Sequence, residues 1–256
     1  MKLPLAGRGI LITRPIEQSA GLASDIRDAG GNPIIFPAME IVPMHDAALG
    51  KCIAQLPTYD AAIFISPNAV RHGLASIDAP RDWPEQVRIY ALGPGTARAL
   101  KEHGLTKVIL PNGQDTEALL ALPSLHAVNQ QRIVIFRGVG GRELLADTLR
   151  ERGALVEYAE CYRRVRPKSD AGPILQRWSA GDIDAVTINS AETLHNLASM
   201  LGDAGGAFLR ATPVFAPHEK IAQSARALGI EHVVATAAGD AGLLDGLITW
   251  FQRMHE

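Results

Sequence analysis

The chain is written twice. The segment GILITRPIEQSAGLASDIRDAGG (9–31) aligns with RIVIFRGVGGRELLADTLRERGA (132–154), so that Arg14 falls on Arg137 and Gly30 on Gly153. YDAAIFISPNAV aligns with IDAVTINSAETL, YALGPGTARAL with VFAPHEKIAQSA, and KVILPNGQDTEALL with HVVATAAGDAGLL. The four blocks recur in one order at offsets between 123 and 125. Such a repeat restricts the chain to folds built from two similar units, each of about 120 residues, an ordinary α/β domain size.

Within each copy, short apolar runs alternate with helical patterns. GILIT (9–13) precedes an amphipathic segment through Ile16, Ala20, Ala23 and Ile26, closed by Gly30 and Gly31. AAIFI (61–65) precedes a helix opened by Ser66 and Pro67, RIYALG (88–93) runs into PGTARALKEHG, and KVILP (107–111) into GQDTEALLALP. Continuous runs of this length suit strands buried on both faces, hence parallel sheets with helices on either side. Five strand–helix steps per copy predict a doubly wound, flavodoxin-like α/β arrangement, which binds ligands at the carboxyl ends of its strands. Ser66, Gly93, Ser190 and Ala216 lie at such ends. Two facing copies would surround one cleft with these loops.

Two extended stretches, NPIIFPAMEIVPM (32–44) and ALVEYAECYRRVRP (154–167), are longer than a buried strand needs. Each is read as a strand leaving one unit for the other, the pair forming a two-stranded hinge ladder.

Composition narrows the function. Hydrophobic residues make up 47% of the chain and charged ones 20%, with a net charge of −2. A general nucleic-acid binder, with a basic stripe and interleaved aromatics, is therefore not expected. The two cysteines, Cys52 and Cys161, form no disulfide framework, and the eight histidines show no metal-ligand spacing. The first residues, MKLPLAGRGILITRP, carry too short an apolar run for a signal peptide, and no stretch approaches a membrane span. A soluble cytoplasmic protein is expected.

The loops divide between capping and binding. RGVGGRE (137–143) sits between a strand and a helix but breaks the G-x-G-x-x-G spacing, and no Walker lysine exists. Ser66, Thr96 and Ser190 either cap helices alone or, with Gly93 and Gly140, help form amide-rich mouths for carboxylates or phosphates. Arg14 and Arg137 end the first strand of each copy, where they face a ligand or form salt bridges. Arg142 can grip a carboxylate bidentately or sit in an exposed ion pair. His218 and Lys220, in APHEK, replace the GPGT of the first copy. Tyr162 aligns with Met39, so the repeat does not require it. Alternation places Tyr162 on one face with Val156, Tyr158 and Glu160, either as packing or as a phenol able to donate one proton.

Taken together, ILITRP, FISPNAV, YALGPGTARAL, FRGVGGRELLADTLRERGA, the tyrosine-rich segment through Tyr162 to Pro167, and INSAETL resemble the uroporphyrinogen-III synthase family across nearly the whole chain. The resemblance implies two flavodoxin-like domains joined by a two-stranded ladder: residues 1–37 plus 167–256, residues 43–160, and linker strands 38–42 and 161–166. It implies cyclisation of hydroxymethylbilane to uroporphyrinogen III with loss of water and inversion of ring D, through a spiro intermediate, in heme, siroheme and cobalamin biosynthesis. No metal or organic cofactor is implied. Tyr162 matches the family tyrosine placed near the departing hydroxyl. Ser66, Thr96 and Ser190 match loop positions lining the family's site, with Pro67, Asn68 and Ala191 beside them. APHEK departs from the family's GPTT-like form, so only its location carries over. A cytoplasmic monomer that takes its substrate from the preceding deaminase, with no nucleic-acid or membrane partner, is the expectation. A hinged two-lobe anion-binding or sensor protein and a nucleotide-dependent enzyme are the rivals.

Overall fold

The computed structural model describes residues 3–77 and 82–253. Two sheets form, each in its own compact unit. One unit comprises the chain as far as Glu40 together with residues from Val165 onward; the other is Ile41–Arg164.

The first unit holds β1 (Gly9–Ile12), β2 (Asn32–Ile35), β9 (Ala185–Thr187), β10 (Val214–Ala216) and β11 (Val233–Ala235), in the order β11-β10-β9-β1-β2. All its pairings are parallel. The second holds β3 (Glu40–Pro43), β4 (Ala61–Phe64), β5 (Arg88–Ala91), β6 (Val108–Ile109), β7 (Arg132–Gly138) and β8 (Leu155–Val165), in the order β3-β8-β7-β4-β5-β6. Here β4, β5, β6, β7 and β8 pair in parallel.

A sequence copy is therefore not a sheet. The first two strands of copy one join the last three of copy two, and the reverse holds in the second unit. Because each exchanged strand meets an equivalent of its own neighbour, both sheets keep the doubly wound 2-1-3-4-5 order.

Period-two alternation builds the cores. In β4, Ala62 and Phe64 face Val70 and Leu74 of α3 (Pro67–Ala75) and Leu100 of α4 (Pro94–Glu102). Ala61 and Ile63 face the other way, toward Leu119 of α5 (Thr116–Leu120) and Leu145 and Leu149 of α6 (Leu144–Glu151). Phe64 and Phe136 stack with centroids 4.4 Å apart. The first unit repeats this arrangement. Ile10 and Ile12 pack on Leu22 and Ile26 of α1 (Ala20–Asp28) and Leu247 of α10 (Gly239–Arg253). Leu11 packs with Leu194 and Leu197 of α8 (Ala191–Ala211) and Ala222 of α9 (Glu219–Ala227). Each fully buried aliphatic or aromatic side chain contributes about 1.5–3 kcal/mol.

The duplicated helix stops form as expected. Gly30 and Gly153 adopt φ +88° and +86°, and the next residue in each case closes a bond to the carbonyl of Ile26 or Leu149.

The stretch 32–44 departs from its expectation of one continuous strand. It breaks into β2 and β3, which belong to different sheets. Phe36 and Ala38 both donate to the β1 side, to the carbonyls of Ile12 and Thr13, so the N–H that Pro37 lacks would face the open edge of the sheet, and β3 begins at Glu40. Its counterpart β8 is one strand of 11 residues.

Candidate active site

In each unit the sheet has one position where strand order reverses, and there two strand ends open side by side. In the second unit these ends belong to β4 and β7, leading to Ser66 and to the loop 138–143. In the first they belong to β1 and β9, leading to Arg14 and Ser190.

Ser66 and Ser190 are true duplicates. Both are extended (φ −161° and −158°), and each Oγ accepts an N–H three residues on, from Ala69 at 3.1 Å and Thr193 at 3.0 Å. Pro67 and Ala191 occupy the first helical positions. Ser66→Ala and Ser190→Ala are each expected to cost about 1 kcal/mol of stability, read from the urea midpoint. Their second partners differ. Ser190 Oγ lies 2.8 Å from Thr193 Oγ1, which donates to Asn189 Oδ1, whereas Ser66 Oγ lies 3.1 Å from Tyr162 Oη.

The Tyr162 contact depends on a bulge. The β7–β8 register runs from Arg132↔Leu155 to Arg137↔Glu160 and then jumps to Gly138↔Tyr162, leaving Cys161 as the additional residue. The bulge corrects the expected alternation. Tyr162 shares the core face of Ala159 and Cys161, while Val156 and Tyr158 pack on the opposite face. The Cys161 thiol donates toward the carbonyls of Arg137 (3.3 Å) and Ala69 (3.5 Å), and burial pushes its pKa up to about 12. Tyr162 itself is 2% exposed, with the His72 ring 5.7 Å away. Ser66 is half-buried, so the hydroxyl pair runs from an enclosed phenol to a serine at a strand end.

The glycine-rich loop is organised by Arg137. Its guanidinium, 4% exposed, donates to the carbonyls of Gly138 (3.2 Å) and Gly140 and to Glu143 Oε1 (3.0 Å), and lies 4.5 Å from the centre of the Tyr158 ring. Tyr158 donates its hydroxyl to Glu143 Oε2. A cavity of about 200 Å³ beside this loop is lined by Gly140, Gly141, Arg142 and Tyr158 among others. Arg137 thus holds the loop, pairs with Glu143, and also lines this cavity.

Glu143 is held below the usual carboxylate range, chiefly by the Tyr158 hydroxyl, with Arg137 adding to it. A depressed folded pKa stabilises the fold at pH values above the unfolded pKa of about 4.3, and that stability is lost as pH falls through the folded value. Melting temperature should therefore fall on acidification below about pH 4.5, and Glu143→Gln should flatten that acid limb. An unchanged limb would remove Glu143 from the network.

The other sequence-selected residues lie as follows. Arg14 is bound bidentately by Asp240 at 2.7 and 3.0 Å, with 14% of its side chain exposed. Arg142 is exposed and paired with exposed Glu117 at 2.8 Å. Gly93 is the residue before α4, whose first turn brings in the buried Thr96. His218 precedes α9 without a side-chain cap bond, and both it and Lys220 are exposed. Asn68 is half-buried in the first turn of α3. Sequence reasoning does not single out Gly138, Tyr158, Glu143 or Asp240 as partners, because each acts through a contact that only the folded chain brings together.

Among the described residues, no group of three or more His, Cys, Asp or Glu side chains is placed to hold a metal ion. No described helix is long and apolar enough to cross a membrane.

Two doubly wound units with paired strand-end mouths define a class of α/β protein already represented by solved structures. A crystal structure of a mutant uroporphyrinogen III synthase from the extremely thermophilic bacterium Thermus thermophilus shares the fold, with a TM-score of 0.64 at 18% identity, covering 96% of this chain and 99% of that one. The family model described as uroporphyrinogen-III synthase HemD matches residues 20–245. Uroporphyrinogen-III synthase of Escherichia coli (strain K12) is 33% identical over 243 residues, 93% of this chain and 99% of that protein. The Salmonella typhimurium protein of the same name is also 33% identical, with the same coverage. The chain belongs to the uroporphyrinogen-III synthase family.

Proposed function

We propose that this chain cyclises hydroxymethylbilane to uroporphyrinogen III, releasing water and inverting ring D, in the biosynthesis of heme, siroheme and cobalamin. The observation that carries this reading is membership of the family over residues 20–245. The site residues add a chemical account of it.

The first step breaks the C–O bond of the ring-A hydroxymethyl group. The hydroxyl needs a proton to leave as water, and the pyrrole nitrogen lone pair pushes it out, leaving an azafulvene cation. We assign that proton to the Tyr162–Ser66 hydroxyl pair. Ser66 Oγ already accepts from Ala69 N–H, and its own proton can face Tyr162 or the substrate. Ring D then attacks through its substituted carbon, giving the spiro intermediate, which fragments and recloses with ring D inverted. Loss of the final ring proton restores the pair, so one water is the only by-product.

Recognition of an octa-carboxylate follows from the helix mouths. Free first-turn N–H groups and the helix dipole favour anions without a neighbouring cation. We assign this role to the amides of Ser66, Asn68, Gly93 and Thr96 in one unit, where Pro67 sets the first turn, and to those of Ser190 and Ala191 in the other; Arg14, His218 and Lys220 are assigned to carboxylates through their side chains. Arg137 is assigned to holding the loop that carries Gly140 and Arg142. Domain limits of 1–37 plus 167–256 and 43–160, with linker strands 38–42 and 161–166, belong to the same proposal.

Because amides bind most of the carboxylates, affinity for the product should fall less than about tenfold between roughly 50 and 500 mM salt, where screening would severely weaken a lysine-clad site. A titration at both ionic strengths reads this, and a steeper loss would contradict it. Hydroxymethylbilane also closes spontaneously, to isomer I, which favours direct receipt from the deaminase that makes it; a cytoplasmic monomer working without a cofactor completes the proposal. The activity is tested by supplying the substrate from a coupled deaminase, oxidising the product and separating the isomers. Isomer III in excess is expected; isomer I alone would overturn the reading.

A further inference from the structure

We propose that Gly138 is a positioning residue for the Tyr162 hydroxyl, the space left by its missing side chain being the seat of the tyrosine ring. The proposal rests on the reading of the Tyr162–Ser66 pair as the proton donor.

Gly138 stands directly opposite Tyr162 in the β7–β8 ladder. A Cβ on Gly138 would lie 2.6 Å from Tyr162 Cε2, 2.7 Å from Cζ and 3.1 Å from Cδ2. Carbon atoms in contact sit about 3.5–4.0 Å apart, so the ring occupies the volume of a side chain at 138. The clash falls on Cε2 and on its neighbour Cζ, the atom that bears the hydroxyl. Any side chain there moves Oη away from Ser66 Oγ, now 3.1 Å distant.

The surroundings leave the ring little freedom to yield elsewhere. Val139 N–H donates to the Tyr162 carbonyl at 2.8 Å, and the Cys161 thiol ties the bulge to Arg137 and Ala69. Nor does the backbone demand a glycine. Gly138 lies in β7 and is absent from the left-handed glycines of the chain, so alanine is conformationally acceptable there. The repeat gives independent support. In the first copy, Pro15 aligns with Gly138 and Met39 with Tyr162, so the pair is a feature of one copy and not of the shared fold.

Gly138→Ala is expected to lower kcat for hydroxymethylbilane by about 10²-fold, the scale of a displacement near 1 Å at a reacting group, with KM nearly unchanged. In a Tyr162→Phe background the same change should cost less than about twofold, because the hydroxyl it misplaces is already gone. A wild-type kcat for Gly138→Ala beside an impaired Tyr162→Phe would overturn the positioning role alone. Equal losses in both backgrounds would do the same. A wild-type kcat for Tyr162→Phe would overturn the proton-donor reading and this proposal with it. If Gly138→Ala proves too unstable to assay, melting temperature decides. The destabilisation should vanish in a Tyr162→Leu background, where the ring is absent, and an equal shift in both backgrounds would overturn the proposal.

Discussion

Tyr162→Phe is expected to lower kcat for hydroxymethylbilane by about 10²-fold, within the range of a single general acid, while KM stays within about twofold. The substitution removes one oxygen and keeps the ring that fills the space over Gly138, so packing is retained. The hydroxyl is the only polar atom of that side chain, and its hydrogen bond is to Ser66. Its loss leaves Ser66 Oγ with the Ala69 N–H as its partner and no second hydroxyl to replenish the proton. Steady-state kinetics with freshly generated substrate measure the effect. Turnover equal to wild type would remove the phenol from the chemistry.

The second large effect is on stability. Arg137→Met should destabilise the Ile41–Arg164 unit by about 3 kcal/mol, lowering its melting temperature by about 10 °C. The ion pair with Glu143 is a small part of this, because that carboxylate is 50% exposed and screened by water. The larger part comes from the carbonyls of Gly138 and Gly140, which lose charged donors, and from the lost stacking on Tyr158. Arg137→Lys should recover only part of the loss, since an ammonium cannot satisfy three acceptors held in a planar fork. Thermal unfolding followed by circular dichroism reads both variants. A melting temperature within about 1 °C of wild type for Arg137→Met would contradict the loop-holding role.

Local physics makes much of the fold legible before any coordinates. Ser-Pro-Asn after AAIFI marks a helix start because a serine oxygen and a proline at the first turn satisfy the same termini wherever they occur. Gly30 and Gly153 are legible for a similar reason: a left-handed stop is a property of one residue. The repeat identifies equivalent strands, and the two over-long extended stretches, 32–44 and 154–167, are what point to the exchange. A strand of copy one fits against copy two as well as against its own copy, so the choice rests on the length of those stretches and not on the apolar pattern of the strands. Alternation puts Tyr162 on the wrong face because it assumes an unbroken ladder, and the bulge at Cys161 is set by bonds to Arg137 and Ala69.

The candidate site divides in the same way. Ser66 and Ser190 are visible as caps, and the glycine loop is visible as a loop. That Arg137 and Arg14 are each engaged by a carboxylate of their own unit is not, because Glu143 and Asp240 carry no signal of pairing in the sequence. Gly138 is the clearest case. Its meaning lies in a ring 24 residues further along the chain that the fold lays across it.

The central claim, that this chain directs ring closure and does not merely bind a tetrapyrrole, is tested most directly by product isomer distribution against enzyme concentration. Hydroxymethylbilane is generated in a coupled deaminase reaction, the products are oxidised, and the isomers are separated. The account predicts uroporphyrinogen III forming at a rate proportional to added protein, with isomer I falling as it rises. Isomer I alone, formed at the same rate with and without the protein, would contradict it.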